Sequence, residues 1–289
     1  ISHRALLLGA LAEGQTQISG FLPGEDCLNT AKCLQQMGVE IEFKNPTQVI
    51  MQGVGLKGLK EPSQVLDAGN SGTTARLLLG ILAGQKFFST LTGDSSLRSR
   101  PMGRVVKPLT KMGAEIWGRN DANLLPLALK GGKLRGISYK TPVASAQLKS
   151  AILLAGLFAD GPTTVVEPEK SRDHTERMLT YFGADVRVDQ LKVTLTPGQK
   201  LYGGNIAVPG DISSAAFFMV AASILPNSQL VIKNVGVNPT RTGIITALKQ
   251  MNAQIQITNE RTVAGEPVAD VVVKSSTLKG TVIKGELIP

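Results

Sequence analysis

Amphipathic helices recur along the chain about every 70 residues, and each ends in a similar short phrase. Apolar positions at helical spacing predict these helices over residues 31–37, 105–112, 175–182 and 244–251. The four helices are predicted to end at Met37-Gly38, Met112-Gly113, Phe182-Gly183 and Met251-Asn252. Glycine and asparagine tolerate the left-handed conformation that ends many helices. An alternating, strand-like pattern follows each time, so the chain reads as a series of related units.

A second helix, upstream in each unit, is apolar on several faces. These helices are predicted over 4–12, 73–83, 146–159 and 213–224, and each leads into a strand, at 16–21, 87–92, 163–166 and 229–234. Helices that are hydrophobic all round are usually buried, and segments 153–158 and 217–222 fit this description best. We therefore expect these helices inside a bundle, with sheets outside.

The units read as repeated βαβαββ arrangements of the α/β (α+β) class, in two domains. Three units, at about 1–66, 67–140 and 141–208, are expected to form the first domain, and residues 209–289 an incomplete second one, after a hinge at 208–211. The fourth unit runs to about Lys274, and a fifth begins at Gly280 and stops mid-strand at Pro289. Because the chain also opens on Ile1 without a methionine, we expect it to be truncated at both ends.

Composition narrows the possible partners. The 289 residues are 42% hydrophobic, enough for a large core, and their formal net charge of +9 attracts anions. An aromatic content of only 4% leaves few side chains for base stacking, and Lys and Arg form no runs, so nucleic-acid binding is disfavoured. No apolar run is long enough to cross a membrane. Cys27 and Cys33 form no CxxC pair or ligand set, which predicts no metal and a reducing, cytoplasmic location.

A glycine-rich turn at residues 69–72 runs directly into one of the apolar helices. Gly69 and Gly72 expose the backbone there, and Thr73 adds a hydroxyl. The unpaired N–H groups and positive dipole end of a helix N-terminus suit a phosphate or carboxylate. Arg76, one turn into the helix, adds a permanent charge with fork geometry. The segment predicts an anion site, although a plain turn before a helix can carry the same residues.

Three arginines follow one strand later. Arg98, Arg100 and Arg104 lie close together in sequence, and Pro101 restricts the backbone of Arg100. The alternative interpretation is a solvated basic loop. Two anion-suited segments within about one βα unit nevertheless favour a shared site.

Six motifs together resemble those of one enzyme family. They are Ser2-His3-Arg4-Ala5, residues 69–76, residues 93–104, Ala144-Ser145-Ala146-Gln147, Ser171-Arg172-Asp173 and residues 210–215. The chain resembles the 5-enolpyruvylshikimate-3-phosphate synthases over essentially its whole length. Residues 82–88 and 96–102 resemble the bacterial class II branch, which is associated with glyphosate tolerance.

The resemblance implies a fold and a reaction. The fold is that of the enolpyruvyl transferases, an inside-out α/β barrel of βαβαββ units in two domains with the active site between them. The reaction transfers the enolpyruvyl group of phosphoenolpyruvate to the 5-hydroxyl of shikimate-3-phosphate and releases phosphate, within the shikimate pathway to chorismate and the aromatic amino acids. The resemblance implies these small molecules as partners, no cofactor, no metal, no nucleic acid and no membrane, and a cytoplasmic monomer.

The resemblance also implies which residues bind the substrates. Shikimate-3-phosphate is expected at Ser2, Arg4, Ser145, Ala146, Gln147 and Ser171, and phosphoenolpyruvate at Asn70, Gly72, Arg100 and Gln147. Thr73, Arg76 and Asp211 are secondary candidates, and Asp211 also suits the N-cap of the following helix. His3 is expected to be a surface loop residue. The catalytic acid and base are expected beyond Pro289, so this chain is expected to be inactive alone although the full-length protein is active.

Two other functions stay open. The related enolpyruvyl transferase that acts on UDP-N-acetylglucosamine typically carries a cysteine in the loop between the positions of Gly93 and Arg100. This chain has Asp94 and Ser95 there and no cysteine. A non-catalytic, RNA-binding relative of the fold is compatible with the net charge, but the few aromatic residues do not support it.

Overall fold

The computed structural model describes residues 1–283, whose elements follow the βαβαββ order that the sequence predicts. The first unit contains α1 (Ser2–Leu11), β1 (Glu13–Ser19), α2 (Glu25–Gln36), β2 (Glu40–Asn45) and β3 (Gln48–Val54). The second contains β4 (Leu66–Asp67), α3 (Gly72–Ala83), β5 (Phe88–Thr92), α4 (Ser95–Ser99), α5 (Gly103–Met112), β6 (Glu115–Gly118), α6 (Arg119–Ala122) and β7 (Leu124–Lys130). The third contains β8 (Ser138–Lys140), α7 (Ala146–Gly156), β9 (Thr163–Val166), α8 (His174–Tyr181), β10 (Asp185–Asp189) and β11 (Lys192–Thr196). The fourth contains β12 (Asn205–Ala207), α9 (Ile212–Ile224), β13 (Gln229–Gly236), α10 (Gly243–Gln250), β14 (Gln254–Val263) and β15 (Glu266–Lys274).

Three of the four sheets share one four-strand order, and the fourth has the last three strands of that order. The second and third units form β4-β5-β7-β6 and β8-β9-β11-β10, and the fourth forms β13-β15-β14. In the first sheet, β12 occupies the edge position next to β1, which gives β12-β1-β3-β2. The first two strands pair in parallel in the second and third units, and their remaining pairs are antiparallel. The units are therefore structural repeats.

The repeated phrase ends a helix in every unit. Gly38, Gly113, Gly183 and Asn252 all take left-handed backbone conformations, with φ of 87°, 108°, 100° and 72°. Glycine has no Cβ to clash at such φ values, and asparagine tolerates them better than most residues that have one, which explains why these two residue types occur at the helix ends. The helices begin earlier than predicted where their first turn is polar, as in α2, because apolar periodicity does not reveal such a turn.

Helices α1, α3 and α7 form the interior of the first part of the chain, as predicted. Nearly every residue of each helix is buried, whereas β1 alternates between buried and exposed positions. Gly80 permits the close approach of α3 to α7, since a Cβ there would lie 2.3 Å from the carbonyl oxygen of Ala151. The prediction for segment 153–158 is therefore confirmed for its helical residues.

The same prediction is wrong for segment 217–222. Phe217 is 79% exposed and Phe218 61% exposed, whereas Met219 and Ala222 are buried. Within residues 207–283, one face of α9 packs on the sheet of β13, β14 and β15. No other helix as long as α9 lies in this range to cover its remaining faces. The apolar sequence of α9 therefore predicted more burial than this helix has within residues 207–283.

The chain divides into two compact units, Ile1–Ile206 and Ala207–Pro289. The predicted limits at 66, 140 and 208 stay predictions. The predicted fifth unit, from Gly280 to Pro289, lies largely outside the described residues. None of the helices in residues 1–283 has the length and apolar character that spanning a membrane requires.

Candidate functional site

The predicted glycine turn forms the N-terminus of α3. Ser71 is the N-cap, and its side chain accepts a hydrogen bond from the Thr74 N–H at 3.1 Å. Gly69 takes a φ of 56°, and its N–H donates to Asp67 Oδ1 at 2.8 Å. Gly72, predicted to be part of the turn, is instead the first helical residue, so its N–H belongs to the turn that has no intrahelical acceptor.

Arg100 lies against this turn. Its Nη2 donates to Asn70 Oδ1 at 2.6 Å and to Ser96 Oγ at 3.1 Å, and its Nη1 donates to the Asn70 carbonyl at 3.3 Å. The Asn70 amide in turn donates to Asp94 Oδ2 at 2.6 Å. Hydrogen bonds from the Leu97 N–H and from Asn70 hold the pKa of Asp94 below its usual value, so it stays a carboxylate that orients Asn70. The two segments predicted to share a site are therefore in direct contact.

Arg76 connects α3 to α7. Its Nη1 donates to Gln147 Oε1 at 2.8 Å, and Gln147 Nε2 donates to Thr73 Oγ1 at 3.0 Å. Burial, followed by the charges of Arg104 and Arg100, lowers the pKa of Arg76. Its buried Nε has no hydrogen-bond partner among the described residues. Three guanidinium groups therefore raise the positive potential at the N-terminus of α3.

Arg4 lies in the first turn of α1, which begins two residues before the predicted start of this helix. Its Nε donates to Thr175 Oγ1 at 2.6 Å and its Nη2 to Ser150 Oγ at 2.9 Å. Ser2 is buried, and its hydroxyl accepts from the Leu22 N–H at 3.1 Å. The structure therefore connects Arg4 to α7 and α8, and Ser2 to the segment after β1.

The expectation that His3 is a surface loop residue is wrong. His3 lies in α1, half-buried, with Nδ1 2.8 Å from Thr30 Oγ1 and 3.5 Å from Thr74 Oγ1. Burial, the N-terminal amino group and Arg4 together lower its pKa to about 3. His3 is therefore neutral at physiological pH and connects α1 to α2 and α3.

The N-terminus of α7 carries three of the predicted residues in sequence. Ser145 is the N-cap and accepts a hydrogen bond from the Leu148 N–H at 3.4 Å. Ala146 is the first helical residue, and Gln147 follows it. Ala146 has no polar side chain, but its N–H belongs to the helix turn that suits an anion.

Ser171 lies beside a buried cluster of charges. Its hydroxyl donates to Glu167 Oε1 at 2.5 Å. Lys149 Nζ lies 2.6 Å from Glu167 Oε2 and 2.7 Å from Glu176 Oε1, and all three charged side chains are at most 5% exposed. Burial raises the pKa of Glu176, although the charge of Lys149 opposes this effect and that of Asp173 adds to it. Lys149 therefore pairs with two buried carboxyl groups at once.

This raised pKa predicts how stability depends on pH. A carboxyl group whose pKa is higher in the folded state stabilises the protein below its unfolded pKa, and this contribution is lost as pH rises through the folded pKa. We therefore compare the free energy of unfolding of the wild type with that of Glu176→Gln. The stability advantage of the wild type over the variant should fall as pH rises from about 4 to 8. Urea titrations across this range measure the difference. A constant difference would contradict the prediction.

Asp211 lies in the second compact unit. It is the N-cap of α9, as predicted, and accepts from the Ser214 N–H at 3.1 Å. Its carboxylate also lies 2.9 Å from Arg241 Nη2. Burial would raise the pKa of Asp211, but the Arg241 charge and the Ser214 and Ser213 hydrogen bonds together lower it. Asp211 therefore caps α9 and pairs with Arg241, and a contact between Asp211 and substrate stays a prediction.

Comparison with known proteins gives the family. The family model described as EPSP synthase (3-phosphoshikimate 1-carboxyvinyltransferase) matches residues 1–287. The chain belongs to the EPSP synthase family. It is 61% and 60% identical over 289 residues to the 3-phosphoshikimate 1-carboxyvinyltransferases of Desulforudis audaxviator and Geobacillus kaustophilus, and it covers 67% of each. It is 52% identical to the solved EPSP synthase from Acinetobacter baumannii, with a TM-score of 0.94, over 99% of this chain and 66% of that one.

The resemblance to the EPSP synthase family did not reveal every residue that builds these contacts. Lys149, Ser150, Glu167, Thr175 and Glu176 hold Arg4 and Ser171, yet none was predicted to contribute. One signal was present, because Lys149 is the one charged residue of a mostly apolar, buried helix. A lysine is almost never fully buried unless it is paired, so its position indicated buried carboxylates.

Proposed function

We propose that this protein catalyses the transfer of the enolpyruvyl group of phosphoenolpyruvate to the 5-hydroxyl of shikimate-3-phosphate, with release of phosphate. One observation carries the proposal. Side-chain hydrogen bonds join the N-terminal turns of α3 and α7 through Arg76, Gln147 and Thr73, beside the guanidinium of Arg100. Such a surface of helix N-termini and arginines suits two polyanionic substrates. The chain spans about two thirds of the length of the curated relatives it matches.

Phosphoenolpyruvate is proposed to bind at the N-terminus of α3. Arg100 would bind its charged groups with the planar fork that suits phosphate and carboxylate, while Asn70 orients Arg100. Gly72 would leave room for the ligand, and Gln147 would lie between the two substrates. The guanidinium of Arg76, whose buried Nε has no hydrogen-bond partner within residues 1–283, adds positive charge beside the ligand.

Shikimate-3-phosphate is proposed to bind where α1, α7 and the segment before α8 meet. Its phosphate would contact the Ser145 hydroxyl, the Ala146 N–H and the Ser171 hydroxyl. Because the Ser171 hydroxyl donates to Glu167, the phosphate would have to replace Glu167 as its acceptor. Arg4 would bind the carboxylate, and Ser2 would support the same turn through Leu22.

In the proposed reaction the 5-hydroxyl of shikimate-3-phosphate loses its proton to a base, O5 bonds to C2 of phosphoenolpyruvate, and the C2–C3 double bond becomes single as C3 gains a proton from an acid, which gives a tetrahedral intermediate. Phosphate then leaves C2 and C3 loses a proton, which restores the double bond. The residues of this chain would neutralise and orient the two anions, which contributes through proximity and electrostatics. We assign no residue of 1–283 to the proton transfers. The protein is also proposed to be a monomer in the cytoplasm. The buried free thiols of Cys27 and Cys33 fit such a reducing compartment.

The test combines binding with turnover. We expect calorimetry to detect shikimate-3-phosphate binding to the chain, with weaker binding of shikimate, UDP-N-acetylglucosamine and RNA. A chimera that adds the parts of the Geobacillus kaustophilus relative not covered by this chain should release phosphate only when both substrates are present. Preferred turnover of UDP-N-acetylglucosamine, or salt-dependent RNA binding without shikimate-3-phosphate binding, would refute the proposal.

Replacing Gly72 by alanine should weaken phosphoenolpyruvate binding with little loss of stability. An added Cβ would lie 2.9 Å from Arg76 Nη1 and 3.7 Å from Arg100 Nη1. The end of Arg76 can move, so the fold should tolerate the methyl group, but the moved guanidinium should raise the KM of the chimera for phosphoenolpyruvate roughly tenfold. Gly161→Ala is the matched control, because its Cβ would meet nothing within 4 Å. Equal KM values for the two variants would contradict the prediction.

A further inference from the structure

Two consecutive contacts join α7 to α8 beneath Arg4. Ser150 Oγ lies 2.6 Å from Thr175 Oγ1, and the preceding residue of α7, Lys149, lies 2.7 Å from Glu176, the residue after Thr175. All four side chains are buried. The Ser150 hydroxyl also lies 2.5 Å from the carbonyl oxygen of Ala146, within the same helix. The two hydroxyl groups therefore have fixed positions.

Arg4 donates to both of these hydroxyl groups. Its Nε–H is directed to Thr175 and its Nη2–H to Ser150, at 2.6 Å and 2.9 Å. A guanidinium group is planar, so two bonds from different nitrogens to fixed acceptors determine both the position and the plane of the group. Neither hydroxyl group belongs to the residues assigned to the substrates above.

We propose that Thr175, with Ser150, is a positioning residue that orients Arg4 toward the carboxylate of shikimate-3-phosphate. This inference rests on the proposed function of Arg4. Thr175 and Ser150 act through Arg4 and have no contact with substrate. The Lys149–Glu176 pair keeps α7 and α8 in register, so the acceptors for Arg4 remain in place when the ligand is absent. Arg4 is thereby preorganised, and the substrate does not have to restrict a flexible side chain on binding.

Isosteric variants test the proposal. Thr175→Val keeps the shape of the side chain but removes the acceptor, and Thr175→Ser keeps the acceptor. We expect the Kd of the full chain for shikimate-3-phosphate to rise about tenfold in Thr175→Val, as for loss of a charge-assisted hydrogen bond, and to recover in Thr175→Ser. Thr163→Val is the matched control, because Thr163 is equally buried and its hydroxyl has no hydrogen-bond partner among the described residues. Its Kd should equal that of the wild type.

A double-mutant cycle with Arg4→Ala separates positioning from general destabilisation. If Thr175 acts through Arg4, the double variant should bind no more weakly than Arg4→Ala alone. Additive losses, or a Thr175→Val variant that binds as tightly as Thr163→Val, would overturn the proposal. Wild-type affinity in Arg4→Ala would overturn it as well, by removing Arg4 from the site. Absence of shikimate-3-phosphate binding to the wild type would instead count against the proposed function itself.

Discussion

Replacing Lys149 by methionine is expected to lower the free energy of unfolding by about 3–5 kcal/mol. The ammonium group lies 2.6 Å from Glu167 Oε2 and 2.7 Å from Glu176 Oε1, and all three side chains are almost fully removed from water. Without it, two carboxyl groups remain buried with no cation between them, and at least one must take up a proton. Urea unfolding at neutral pH, followed by circular dichroism, measures the loss.

Two further variants identify the cause of this loss. Lys44→Met removes a lysine from the exposed pair with Glu42, whose atoms are also 2.6 Å apart, and should change stability by less than about 1 kcal/mol. Adding Glu167→Gln and Glu176→Gln to Lys149→Met should recover part of the lost stability, because the buried charges are then gone. A triple variant less stable than Lys149→Met would show that packing, and not charge, determines the effect.

Replacing Arg100 by alanine should raise the KM for phosphoenolpyruvate by roughly 10- to 100-fold in the chimera, with a much smaller change in the KM for shikimate-3-phosphate. Arg100 contacts the N-terminal turn of α3 through Asn70, and charge-assisted hydrogen bonds from its fork are the strongest contact proposed for this ligand. Steady-state kinetics with each substrate varied in turn separates the two KM values.

Arg98→Ala is the control for Arg100→Ala. Arg98 lies two residues earlier, at the exposed end of α4, and its removal changes the net charge by the same amount. General electrostatic attraction would make the two variants alike, whereas direct binding affects Arg100→Ala alone. Arg100→Lys should recover only part of the affinity, because an ammonium group lacks the planar fork. Equal KM values in Arg98→Ala and Arg100→Ala would exclude the proposed contact.

The repeat architecture could be predicted because it follows from local chemistry. Gly38, Gly113, Gly183 and Asn252 end helices through a backbone conformation that depends on the residue itself, and the apolar runs in α1, α3 and α7 require burial. Segment 217–222 shows the limit of this reasoning. Hydrophobicity indicates that a helix can be buried, but the neighbours available to cover it decide whether each face is buried.

The sequence by itself determined the order of the repeated elements, the C-terminal ends of the amphipathic helices, the family and the two anion-suited segments. These depend on residue types at short spacing, where backbone conformation and hydrogen-bonding capacity are local properties. Only the tertiary structure decided that Arg76 bonds to Gln147, that Arg4 bonds to Ser150 and Thr175, and that His3 lies between α1, α2 and α3. Those contacts join residues from 27 to 171 positions apart, and their geometry depends on how the helices pack, which no local pattern records.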